Sequence, residues 1–179
     1  MPKNSNILLI RHGEKPLNES ANPGLTVAGQ ERAMAYVIYF QNFMLNSQLI
    51  KLDYLFATAQ SAHSNRSYLT IQPLAQQLNL KINNTFSDSD EDVDALVRYI
   101  QSDQSFNGSN ILICWHHEKL LRIAKGLGAG ASHHTIPDDW PDGAFGWLIY
   151  LSYDASGILT GAATIDQKLM YNDHDHPVP

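Results

Sequence analysis

Residues 6–15, Asn-Ile-Leu-Leu-Ile-Arg-His-Gly-Glu-Lys, constrain the fold more than any other stretch, because an apolar run stops at an arginine, a histidine and a glycine. Ile7 to Ile10 include two β-branched residues and lack helical spacing. Such a run suits a strand covered on both faces, as in a parallel sheet. In open α/β sheets, ligands bind beyond the carboxyl ends of the strands, so Arg11 and His12 stand where these folds place chemistry. Gly13 is expected to let the backbone turn close to a ligand. Taken alone, the stretch also reads as a solvated strand end followed by a turn.

The logic recurs at Asn110 to Gly128, where the apolar strand Ile111 to Trp115 stops at His116 and His117 and a helix over about 118–127 follows. Between these two segments the pattern predicts alternating strands and helices. A loop at 16–24 leads to a helix capped by Thr26 and running to about Asn46. A strand follows at 52–57, then a helix at about 65–78 and a short strand at 80–83. The acid-rich stretch Asp88, Asp90, Glu91, Asp92 complements the positive end of a helix reaching about Gln101. Two further strands are expected at 145–153 and 158–165, giving an α/β fold with a mainly parallel central sheet and helices on both faces. One domain over 1–179 is expected, with 1–5 and about 168–179 tail-like.

Charge narrows the function. A formal net charge of -6 argues against nucleic acid or an acidic membrane as partner, so an anionic substrate needs a local cluster of cations. The single cysteine, Cys114, forms no intramolecular disulfide, and no apolar run resembles a leader or a membrane span. A cytoplasmic location is the expectation. The acidic cluster at 88–92 and the His133-His134 pair with Asp138 and Asp139 match no metal-ligand spacing, so no metal is expected there.

The Arg11-His12-Gly13 motif after the first strand resembles the opening of the histidine phosphatase superfamily, the phosphoglycerate-mutase-like proteins. Leu25, Thr26, Gly29 and Arg32 are similar to the family's next segment, although an ordinary capped helix explains them as well. Arg66 and Thr70 have the spacing of the family's second arginine and its following threonine. The resemblance implies that His12 attacks phosphorus and carries the phosphoryl group, that Arg11 and Arg66 clamp it, and that a second histidine bonds a phosphoryl oxygen. His117 fits that place by its distance from Leu121 and Arg122 in the helix and by a Trp-Glu-His subset of the family. Counting along the strand favours His116. Strand alternation lets only one of the two face the phosphate, and His117 is the choice, with His116 turned to the sheet flank.

The family's acidic proton donor has no evident counterpart, and Glu118 and Glu14 are the candidates. The implied activity is a metal-independent, cofactor-free phosphatase acting on a small phosphorylated substrate or a phosphoprotein. Alternatives are a phosphate-binding module without turnover, a phosphoglycerate-mutase-type phosphotransferase, and a metal-dependent hydrolase built on His116, His117, His133 and His134.

Overall fold

The structure, a computed structural model, describes residues 1–17, 22–130, 135–171 and 173. His133, His134 and the end of the chain from His174 lie outside the described residues. In chain order the elements are β1 (Ser5–Arg11), α1 (Val27–Gln41), β2 (Met44–Leu45), β3 (Gln48–Leu49), β4 (Tyr54–Ala57), α2 (Arg66–Leu78), β5 (Ile82–Asn83), α3 (Asp90–Ser102), β6 (Asn110–Trp115), α4 (His117–Gly126), β7 (Trp147–Tyr153) and β8 (Leu159–Asp166).

Six strands form one sheet in the order β5-β4-β6-β1-β7-β8. β5, β4, β6 and β1 run parallel, while β7 and β8 are antiparallel additions at one side. The sheet is thus mostly parallel, as the apolar run of β1 requires. Successive β1 side chains point to opposite faces. Ile7 and Leu9 join a buried cluster with Val93, Leu96 and Ile100 of α3 and Leu120 and Ile123 of α4. Leu8 and Ile10 join another with Tyr36 and Phe40 of α1 and Ile71 and Leu74 of α2.

The parallel register brings three strand ends to one edge. Arg11 lies opposite Trp115, and Ala57 opposite Cys114. The loops that leave this edge carry His12, Thr58 and His116.

Local signals set several boundaries. Thr26 caps α1 by accepting from the Gly29 amide at 3.1 Å, and Ser89 caps α3 in the same way from Asp92, ahead of the acidic first turn. Helix α1 stops at Gln41, short of the expected Asn46. Phe43, Leu45 and Ile50 are buried in the cluster beneath it, and the chain turns back as the β2-β3 hairpin through Asn46 and Ser47, both at positive φ. That geometry is the two-residue turn which matches strand twist.

The expected tail also differs. Asp173 is buried, and its carboxylate meets Arg32 of α1 at 2.6 and 3.1 Å. Arg32, itself fully buried, holds Glu14 on its other side. Burial alone would lower the pKa of Arg32, but the hydrogen bonds it donates to Asp173 and Glu14 outweigh it and raise the value.

Candidate active site

His12 is the first residue beyond β1, and its ring is almost fully buried. Its backbone amide donates to Trp115 O at 3.1 Å, which ties it to the end of β6. Its Nδ1 lies 2.7 Å from Gly13 O. A carbonyl only accepts, so Nδ1 carries the hydrogen and Nε2 is the nitrogen with a free lone pair in the neutral ring. Burial is the largest influence on this imidazole, and His116, Arg11 and Arg66 add to it. Together they hold its pKa well below the ordinary 6.5.

Gly13 is placed by contacts to two helices. Its amide donates to Thr70 Oγ1 at 2.8 Å, and Thr70 in turn donates to Arg66 O, so one threonine joins α2 to the His12 loop. A Cβ on Gly13 would lie 2.8 Å from Gly29 O, and one on Gly29 would lie 2.6 Å from Glu14 O. The two glycines let α1 seat directly on the backbone that follows His12. Gly13 therefore serves this helix contact, where a turn toward a ligand was expected.

A cleft of about 250 Å³ is lined by His12, Lys15, Arg66, His116, His117 and Glu118. Arg66, the first residue of α2 after the loop that follows β4, is among the lining residues. Arg11, expected to clamp the phosphoryl group, is fully buried and is not among the residues lining the cleft. Its Nη1 donates to the carbonyls of Pro141, Asp142 and Ala144, and the guanidinium sits 3.9 Å over the Phe145 ring. Nε and Nη2 of Arg11 are buried without a hydrogen-bond partner among the described residues. Burial lowers its pKa to about 10, which leaves it charged at neutral pH.

Both adjacent histidines line the cleft, contrary to the expectation that His116 turns to the sheet flank. Strand β6 ends at Trp115, so the alternation rule no longer applies at these positions. His116 is the N-cap of α4 and His117 its first helical residue. The His116 ring stands edge-on to His12 with centroids 5.3 Å apart. Its Nδ1 is 2.8 Å from Asp88 Oδ2 and its Nε2 is 3.3 Å from Ser64 Oγ.

His117 Nε2 is 2.6 Å from the exposed carboxylate of Asp142. Burial and Arg11 lower its pKa, with Asp142 opposing them. Arg122, which set the helix register, pairs with Asp90 and Asp94 of α3.

The candidate proton donors separate. Glu118 is exposed on the rim of the cleft, whereas Glu14 is engaged by Arg32. Asp88, Asp142, Lys15 and Phe145 were not singled out as site residues from the sequence. Among the described residues, no group of three or more His, Cys, Asp or Glu is arranged to hold a metal, and no helix is long and apolar enough to cross a membrane.

This sheet order is a fold shared with solved phosphoglycerate mutases and with a protein assigned as a phosphohistidine phosphatase. Among solved structures, the chain is similar to a phosphoglycerate mutase from Bacillus anthracis, with 12% identity, 97% of this chain and 98% of that chain covered, and a TM-score of 0.56. It is also similar to a protein assigned as the phosphohistidine phosphatase SixA of Agrobacterium tumefaciens, with 16% identity, coverage of 89% and 97%, and a TM-score of 0.55. A phosphoglycerate mutase from Plasmodium falciparum matches with 12% identity, coverage of 89% and 90%, and a TM-score of 0.53. At these identities the likeness is one of fold. No protein-family model matches the chain, and no curated protein matches it in sequence.

Proposed function

We propose that the protein is a phosphatase that hydrolyses a phosphate ester or related phosphoryl compound through a phosphohistidine on His12. The observation that carries this reading is the His12 ring, buried and tautomerically fixed by Gly13 O at 2.7 Å, facing a small cleft that also holds Arg66 and His117. Phosphoryl transfer needs an in-line nucleophile and positive donors around the equatorial oxygens. Neutral His12 Nε2 attacks phosphorus, Arg66 and His117 hold the oxygens, and Arg11 supplies charge from behind. For His117 to bond a phosphoryl oxygen through Nε2, the exposed Asp142 side chain swings away into solvent.

Water then hydrolyses the phosphohistidine. The chain acts as one domain with helices on both sheet faces, a layering supported by the two buried clusters on either side of β1. The substrate is a small phosphorylated compound or a phosphoprotein, and the location is cytoplasmic.

The test is phosphate release from a panel of aryl, alkyl and amide phosphates, with alkaline quenching to trap an acid-labile, base-stable phosphoenzyme. His12→Ala should abolish both the label and His12-dependent turnover. Undiminished turnover in folded His12→Ala would refute the assignment.

A further inference from the structure

The loops around the cleft assemble a second constellation that the phosphoryl chemistry above leaves unused. Asp88 Oδ2, His116 and Ser64 Oγ form a line, with contacts of 2.8 Å at Nδ1 and 3.3 Å at Nε2. They come from three separate elements, the approach to α3, the N-cap of α4 and the loop before α2. A carboxylate on Nδ1 fixes the hydrogen on that nitrogen and leaves Nε2 to gain and lose a proton. An in-line displacement puts the leaving oxygen on the far side of phosphorus from the nucleophile, so a proton carrier must share the cleft with His12. The His116 ring does so, perpendicular to His12 at 5.3 Å. Glu14 is held by Arg32 instead, with three contacts of 2.7–3.1 Å.

We propose that His116, positioned by Asp88, carries the leaving-group proton, an inference that rests on His12 being the nucleophile. As the bond from His12 Nε2 to phosphorus forms and the bridging P–O bond breaks, cationic His116 passes the Nε2 proton to the departing oxygen, which leaves as a neutral alcohol. The leaving oxygen takes the place of the weakly held Ser64 hydroxyl at Nε2. In the second step water bonds to phosphorus and gives a proton to neutral His116. The P–N bond breaks, its electron pair returns to His12 Nε2, and inorganic phosphate departs. Asp88 touches no reacting atom and acts as a positioning residue.

Leaving groups separate this role from simple phosphate binding, because an alkoxide needs the proton and a dinitrophenolate does not. The experiment measures kcat/KM of the full chain on a simple alkyl phosphate and on 2,4-dinitrophenyl phosphate, in wild type, His116→Gln, Asp88→Asn and His12→Ala, with thermal melts to confirm folding. Loss of general acid catalysis typically costs on the order of 10²–10⁴-fold. His116→Gln should lose about that much on the alkyl phosphate and less than about tenfold on the dinitrophenyl ester, and Asp88→Asn should show the same selectivity with a smaller loss. Equal losses on both substrates would overturn the proton-carrier role while leaving His12 as nucleophile. Absence of any His12-dependent phosphate release in the wild type would overturn the phosphatase reading and this inference with it.

Discussion

Replacing Gly29 by alanine sets two effects of opposite sign against each other. Alanine favours the helix, by at most about 1 kcal/mol over glycine. The new Cβ, however, would lie 2.6 Å from Glu14 O and 2.9 Å from Glu14 N, where ordinary contact begins near 3.4 Å. Both obstructions are backbone atoms, so no side chain can rotate out of the way. Helix α1 and the loop after His12 must part by about 0.8 Å, the difference between 3.4 and 2.6 Å. Overpacking of this kind typically costs about 1–3 kcal/mol, so the net loss of stability is about 0–2 kcal/mol, or a few degrees of melting temperature in a chain of this size.

The functional effect should be larger. Glu14 is two residues from His12, and the Gly13 carbonyl between them orients the imidazole ring. A misplacement near 1 Å can cost about 10²-fold in rate. The expected outcome is a folded variant with a small change in melting temperature and a drop in kcat/KM on that scale, read by circular dichroism and phosphate release. A variant with raised melting temperature and undiminished turnover would show that the glycine contact does not position His12.

Two further outcomes follow from buried charge and protonation. Arg32→Met should destabilise the fold by roughly 3–5 kcal/mol in urea unfolding, because the buried carboxylate of Asp173 and that of Glu14 lose their common partner. Burial would raise the pKa of Asp173, but the hydrogen bonds of Arg32 outweigh it and lower the value, so this part of the stability is present above about pH 4 and is lost as pH falls through the lower folded-state value. For His12 the pKa is depressed as well, so the acid limb of kcat/KM should fall well below pH 6.5; an acid limb at 6.5 or above would contradict a buried neutral nucleophile. The unfolded chain protonates this histidine below about 6.5 while the folded chain does not, so stability also declines below that pH, by at most about 1.4 kcal/mol per pH unit, a slope that His12→Phe should remove.

The sequence by itself determined the elements whose signals are local. The apolar run of β1 ending at Arg11, the Thr26 cap and the acidic first turn of α3 each depend on neighbours within a few residues, and the structure has them where the pattern put them. The Arg11-His12-Gly13 motif and Arg66 likewise stand at a strand end and a helix start, where the pattern put them. What each group faces was decided by tertiary structure. The orientation of His116 depends on Asp88, 28 residues away, and that of His117 on Asp142, 25 residues away. Gly13 is read correctly only beside Gly29, and Glu14 is engaged by Arg32, 18 residues further on, which Asp173 holds from another 141 residues away. Backbone periodicity sets which residues become strand or helix. The direction of a ring or carboxylate at the end of an element, where periodicity lapses, is set by hydrogen bonds to distant parts of the chain, and no local pattern encodes those.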